Sequence, residues 1–239
     1  MSGPRIWGYG ATFGWAVLAF LAGQFIGFGL ILLFHPGSWT SILETPFDGK
    51  LVTLFIVISN PVTIAVLLMA VRFARANPAD YLALRRSTAR SVGLGLVLLV
   101  VLIAAADAAL YFSGRALVTP FQLESYTTAA AEGWLPAMLF AAIVVAPAGE
   151  EIMFRGFLFR GWARSERSAW PAIIVISLVW AGLHIQYDWT GILQIFVIGL
   201  FLGFIRWHSG STLLTFLLHA LFNLEGSLET LVQVHFFAR

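Results

Sequence analysis

The sequence is organised around Ala146-Pro147-Ala148-Gly149-Glu150-Glu151-Ile152-Met153-Phe154-Arg155-Gly156, which places two acids and an arginine at the end of a long apolar run. A charge at bilayer depth costs roughly 2.5–3.5 kcal/mol on insertion scales, so such charges are rare and usually functional. On a helix, Glu151 and Arg155 lie four residues apart on one face, in the order that favours an ion pair. Glu150 is rotated by about 100° from Glu151, which leaves its carboxylate free for chemistry. The plainer alternative is a helix end whose charges lie among the lipid headgroups.

The composition is that of a membrane protein. Of 239 residues, 59% are hydrophobic and 11% are charged, whereas a soluble domain carries about 25% charged residues. A membrane-spanning helix needs about 20 mostly apolar residues, and several such runs occur. We therefore predict an all-α, polytopic transmembrane helical bundle that forms a single integral membrane domain over 1–239, with its motif-bearing core at roughly 134–224. The chain has no cysteine, which excludes disulfides, a thiol nucleophile and Cys-ligated metals.

Seven membrane spans are predicted, and the number rises to eight if the last segment is split near Gly226. They lie at roughly 12–34, 51–73, 92–112, 134–163, 170–185, 189–207 and 211–236. Ser168 is the predicted N-cap of the fifth span, with Pro171 in its first turn. A short surface helix is expected near 125–131.

Basic residues predict the orientation of the bundle, because Lys and Arg in short loops favour the cytoplasmic side. With the N-terminus inside, the cytoplasmic set is Arg5, Arg72, Arg75, Arg85, Arg86, Arg90, Arg160, Arg164, Arg167 and Arg206, and the outer set is Lys50, Arg115 and Arg239. We therefore expect an integral protein of the bacterial inner (plasma) membrane with a cytoplasmic N-terminus. Its surroundings are the lipid bilayer, and the net charge of +2 gives no reason to expect a nucleic-acid partner.

Two histidines lie inside predicted spans. His184 falls in span five, and His219 falls in span seven with Asn223 one turn later on the same face. Polar groups buried in lipid must find one another. We therefore predict one polar cluster between spans four, five and seven, and the simpler expectation for His35, His208 and His235 is an interfacial position.

Such a cluster permits three kinds of chemistry. A glutamate in an apolar site is a good general base for hydrolysis by water, and His219 and Asn223 can stabilise an oxyanion. A metal site is the second reading, because Glu150, His184 and His219 make the His₂Glu set of catalytic zinc. The sequence lacks His-Glu-x-x-His, so those ligands would come from three separate helices. A proton relay for transport is the third reading.

Three motifs occur in order: Glu150-Glu151-x-x-x-Arg155, Trp180-x-x-x-His184 and His219-x-x-x-Asn223. They resemble those of the CPBP intramembrane proteases, the relatives of the type II CAAX prenyl endopeptidase Rce1 and of bacteriocin-processing and immunity proteins. The resemblance covers roughly 134–224. One departure is Trp180, where the family usually has phenylalanine, and this exchange is conservative for packing.

The resemblance implies peptide-bond hydrolysis inside the membrane, on a peptide or membrane-protein substrate. It assigns six site residues. Glu150 activates water with His184, Glu151 and Arg155 orient the site, and His219 and Asn223 stabilise the oxyanion. For the cofactor, both Zn²⁺ and a metal-free glutamate mechanism are consistent with the family. The alternatives are a non-catalytic family member, acting in bacteriocin immunity or as a partner-binding scaffold, and a proton-coupled transporter.

The predicted boundaries conflict on one point. At the rise of an α-helix, Glu150 lies about 24 Å from the start of span four and His184 about 21 Å from the start of span five. The two spans run in opposite directions, so these residues are expected at different depths. They must meet in a shared site, and we therefore expect shifted boundaries or tilted helices.

Overall fold

In the computed structural model, which describes residues 5–34, 45 and 47–237, the described residues form nine helices and no strand. The helices are α1 (Tyr9–Phe34), α2 (Gly49–Phe73), α3 (Pro78–Tyr81), α4 (Ala89–Phe112), α5 (Pro120–Ala131), α6 (Leu135–Trp162), α7 (Glu166–Gly182), α8 (Trp189–Ser209) and α9 (Thr212–Val232). The predicted all-α membrane bundle is thereby confirmed. His35 and Arg239, which entered the predictions, lie outside the described residues.

Five of the described helices are long and apolar enough to cross a membrane, namely α1, α2, α4, α6 and α8. The two remaining long helices differ from these in length or polarity. α7 has 17 residues, and α9 carries His219, Asn223, Glu225 and Glu229. The total of seven or eight spans therefore stays a prediction.

The N-terminus of α7 corrects the predicted cap. Ser165, not Ser168, is the N-cap, because the Ser165 hydroxyl accepts from the Ser168 backbone N–H at 3.3 Å and the Ser168 hydroxyl accepts from the Ser165 N–H at 3.0 Å. This reciprocal arrangement satisfies two of the free N–H groups at the start of the helix. α7 consequently begins four residues before Trp170, and Pro171 lies inside the helix rather than in its first turn. The surface helix also begins earlier than predicted, at Pro120.

The core brings the motif-bearing helices together. α1 packs along α2, α7 packs along α8, and α9 contacts α4, α6 and α8. Phe157, Leu202 and Leu218 are fully buried among them. The α7–α8 contact depends on a small residue, since a Cβ added at Gly199 would lie 2.8 Å from the Ser177 Cβ. This close packing brings the backbone of α8 within reach of the charged residues of α6.

The conflict in depth is resolved by measuring both helices from their shared end. α6 ends at Trp162 and α7 begins at Glu166, so these residues lie at the same end of the bundle. Glu150 lies twelve residues before Trp162, or about 18 Å at the helical rise. Trp180 lies fourteen residues after Glu166, or about 21 Å. Trp180 therefore lies at a depth similar to that of Glu150, and it links Glu150 through its indole N–H to His184, four residues further on, through its carbonyl.

Candidate active site

The acidic motif lies in an irregular part of α6. Two π-helical segments, Ala141–Val145 and Ile152–Leu158, flank the regular turn Ala146–Glu151. π-helical turns of this kind are frequent at functional sites, since the extra residue redirects the side chains that follow. Gly149 lets α2 approach this turn, because an added Cβ would collide with the side-chain oxygen of Asn60.

Glu151 and Arg155 form the predicted ion pair. The Arg155 Nη1 donates to Glu151 Oε1 at 2.8 Å, and both side chains are only 1% exposed. Arg155 Nη2 also donates to the Gly199 carbonyl of α8 at 3.3 Å. A buried charge is tolerated only when paired and hydrogen-bonded. Through the hydrogen bond from Arg155 to Gly199, this pair joins the acidic motif of α6 to α8.

His219 joins the same carboxylate from α9. Its Nδ1 lies 2.9 Å from Glu151 Oε1, and the imidazole is 4% exposed. Because an ionised carboxylate can only accept, Nδ1 carries the donated proton. The Nε2 atom of His219 is then the one that remains available to a ligand.

Trp180 of α7 is the residue around which the other side chains are arranged. Its indole Nε1 donates to Glu150 Oε2 at 2.6 Å. The Arg155 guanidinium lies 4.4 Å from the centroid of the Trp180 ring. The imidazoles of His184 and His219 each meet the indole edge-on, with centroids 5.2 Å apart. Sequence reasoning treated this residue as packing and missed the role of its N–H group.

His184 lies just beyond the end of α7, not inside the helix as predicted, because the helix ends at Gly182. The backbone of α7 holds its side chain. Its Nδ1 lies 2.8 Å from the Trp180 carbonyl oxygen. A carbonyl only accepts, so Nδ1 is the protonated nitrogen and the neutral ring presents Nε2 as an acceptor. The orientation suits a general base or a ligand whose second nitrogen is fixed by a hydrogen bond.

Tyr187 is a site residue that the sequence did not reveal. Its ring stacks on His184 with centroids 6.2 Å apart and an interplanar angle of 27°. Burial, and to a lesser degree the Glu150 carboxylate, raise the pKa of the Tyr187 phenol. The hydroxyl therefore stays protonated at neutral pH and can donate a hydrogen bond. The only signal in the sequence is a tyrosine three residues after the motif histidine, which is weak.

Asn223 is anchored to α6 from α9. Its Nδ2 donates to the Ala142 carbonyl at 2.8 Å, inside the first π-helical segment. An amide nitrogen carries two hydrogens, so one N–H remains for a ligand. Asn223 lies one turn after His219, as the third motif predicts.

One cavity of about 910 Å³ contains this arrangement. Glu150, His184, His219 and Asn223 line it together with Trp180 and Tyr187. Glu151 and Arg155 do not line it and lie behind His219 and Trp180, which they contact. The structure thus brings the six predicted residues together as four cavity-lining groups and a buried pair that supports them.

The predicted metal ligands are not grouped in the way an ion requires. Over the described residues, the acidic or histidine side chains whose ligand atoms lie within 4.8 Å of one another are Asp107, Glu225 and Glu229. Glu150, His184 and His219 do not form such a group, although a tetrahedral zinc site needs ligand atoms about 2 Å from the metal. We therefore assign no step of the chemistry to a metal.

The fold and the site together define an integral membrane protein of the all-α class, with ionisable side chains gathered at a cavity inside the bundle. Residues 132–224 match the family model described as type II CAAX prenyl endopeptidase Rce1-like. The match confirms the family that the three motifs predicted. It covers less than half of the 239 residues. No curated protein and no solved structure matched the chain.

Proposed function

We propose that this protein is an intramembrane endopeptidase in which Glu150 activates water to hydrolyse a peptide bond of a peptide or membrane-protein substrate. The observation that carries the proposal is the joint position of Glu150 and His184. Both line the cavity and both are held by Trp180, one through the indole N–H and the other through the backbone carbonyl. Glu150 Oε1 and His184 Nε2 remain as two acceptors for one water molecule.

In the proposed reaction, the water oxygen attacks the scissile carbonyl carbon while Glu150 removes a proton. The new C–O bond forms a tetrahedral intermediate with a negatively charged oxygen. Collapse of the intermediate breaks the C–N bond, and the proton held by Glu150 passes to the leaving amine. The products are a free carboxyl terminus and a free amine.

Two residues of α9, Asn223 and His219, would stabilise the oxyanion. The second N–H of Asn223 is one donor. His219 can be the other only when both of its nitrogens are protonated, because Nδ1–H is already donated to Glu151. Removing one such donor typically costs about 10²–10³ in kcat.

Cleavage in proteoliposomes tests the proposal. We expect the purified protein to cut candidate membrane peptides, and His184→Ala to lower kcat by about 10²–10⁴-fold, the usual contribution of a general acid–base group. Mass spectrometry in H₂¹⁸O identifies hydrolysis by one ¹⁸O in the new carboxyl terminus. His208→Ala is the matched control, because His208 is exposed at the end of α8. Wild-type activity in His184→Ala would contradict the assigned role, and a folded protein with no cleavage of membrane peptides favours the scaffold or immunity alternative.

Chelation tests the cofactor. Because the structure does not group Glu150, His184 and His219 as ligands, we expect cleavage to persist after prolonged treatment with 1,10-phenanthroline. Elemental analysis of the purified protein gives the metal content alongside the rate. Loss of activity on chelation, restored by added Zn²⁺, would show that these residues rearrange around a metal.

A further inference from the structure

Trp180 contacts almost every group of the candidate site, and it does so with an atom that phenylalanine lacks. Phenylalanine at this position would preserve the aromatic contacts with His184, His219 and Arg155. It could not replace the 2.6 Å hydrogen bond from Nε1 to Glu150 Oε2. Among the described residues, this indole is the one hydrogen-bond donor to the Glu150 carboxylate.

The indole is itself held in one orientation. It is 2% exposed, and the Arg155 guanidinium lies 4.4 Å from the ring centroid on one side. The two imidazoles meet it edge-on at interplanar angles of 82° and 83°. Rotation of the ring would displace all three neighbours, so the direction of the N–H bond is fixed by the same packing that holds the histidines.

We propose that Trp180 is a positioning residue, whose indole N–H holds one oxygen of Glu150 so that the other faces the water. This inference rests on the proposed function, since it assigns the step that Trp180 assists. The hydrogen bond occupies Oε2 of a side chain that lines the cavity, and Oε1 is the oxygen left to accept from water. A carboxylate without this donor can rotate about its terminal torsion, which is broad for glutamate, and spends less time in the reactive orientation.

Loss of the hydrogen bond from Trp180 to Glu150 is expected to lower kcat. Misplacement of a reacting group by about 1 Å can cost about 100-fold in rate. Trp180→Phe exchanges one aromatic residue of the cavity lining for another and leaves the other lining residues unchanged, so we expect substrate affinity to change little. We therefore expect Trp180→Phe to lower kcat by about 10- to 100-fold, with KM changed by less than about twofold.

The experiment has a kinetic part and a spectroscopic part. In the kinetic part, Trp180→Phe is compared with benzothienylalanine at position 180, which keeps the bicyclic shape and replaces N–H by sulfur. Trp170→Phe is the matched control on the same helix, because Trp170 is 53% exposed. Equal losses in both position-180 variants, with melting temperatures near that of the wild type, assign the effect to the N–H group.

In the spectroscopic part, the indole ¹H–¹⁵N resonance of Trp180 is followed in ¹⁵N-tryptophan-labelled protein in nanodiscs. We expect Glu150→Ala to move this resonance upfield, and Glu166→Ala, at the opposite end of α7, to leave it in place. An unresponsive resonance would show that the bond is absent and overturns the proposal whatever the activity. Wild-type kcat in the benzothienylalanine protein would overturn it as well. A wild-type protein that cleaves no substrate refutes the proposed function, whereas the resonance still decides whether the contact exists.

Discussion

Glu150→Gln lowers the rate of cleavage by about 10²–10⁴-fold, the usual contribution of a general base, while the protein keeps its fold. The amide oxygen of glutamine can still accept the indole N–H of Trp180, so the side chain stays in position. The amide cannot take a proton from water, and the chemical step therefore loses its base. The rate of peptide cleavage in proteoliposomes measures the loss, and circular dichroism and the melting temperature establish that the helices are intact.

Two control variants distinguish the loss of a negative charge from the loss of the general base. Glu166→Gln removes the same charge from an exposed site in the first turn of α7, and we expect wild-type rates. Glu150→Asp retains a base but shortens the side chain by one methylene, so an intermediate rate is expected. If Glu150→Gln cleaves as fast as the wild type, another group activates the water and the proposed mechanism is wrong.

Patterns local in sequence were predicted well. Glu151 and Arg155 are one helical turn apart, so their pairing follows from helix geometry alone. The runs that form α1, α2 and α4 are long and mostly apolar, so their ends could be predicted to within a few residues. The three motifs ordered along the chain indicated the family that the match to residues 132–224 confirms.

Features that depend on tertiary contacts could not be predicted from local sequence patterns. The N-cap of α7 was misplaced because Ser165 and Ser168 both satisfy the sequence rule, and their reciprocal hydrogen bonds decide between them. The link from Trp180 to Glu150 joins residues thirty positions apart. It depends on how α6 and α7 align, and the predicted start of α7 was four residues too late, although the predicted bounds of α6 were close to those observed. Tyr187 was missed as a site residue because its contact with His184 is likewise a tertiary contact.

The roles of the six motif residues and the use of a metal remain predictions. The structure divides the motif residues into two groups that the sequence motifs do not distinguish. Glu150 and His184 face the cavity, whereas Glu151 and Arg155 are enclosed by helices. Variants of the first pair should therefore affect the reaction, and variants of the second pair should affect stability as well.

Arg155→Met should destabilise the fold by about 3–5 kcal/mol, the usual consequence of removing one partner from a buried ion pair. The substitution removes the ion-pair partner of Glu151, which is 0% exposed, and leaves its carboxylate with the hydrogen bond from His219. It also removes the donor to the Gly199 carbonyl, and so loosens α6 from α8. Equilibrium unfolding in detergent micelles, followed by circular dichroism, measures the change in the free energy of unfolding.

The double variant Glu151→Leu/Arg155→Met distinguishes a broken pair from a lost contact. Replacing both charges by apolar side chains of similar size leaves no unpaired charge, so we expect it to be more stable than Arg155→Met alone. Glu132→Ala is the exposed comparison: its pair with Lys50 spans 3.6 Å with side chains 43% and 48% exposed, and its loss should cost about 1 kcal/mol or less. If Arg155→Met were no more costly than Glu132→Ala, the buried pair would contribute little to the fold. Additive single effects in the Glu151–Arg155 cycle would likewise show that these residues act independently, and the support they are expected to give to His219 and Trp180 would have to come from packing alone.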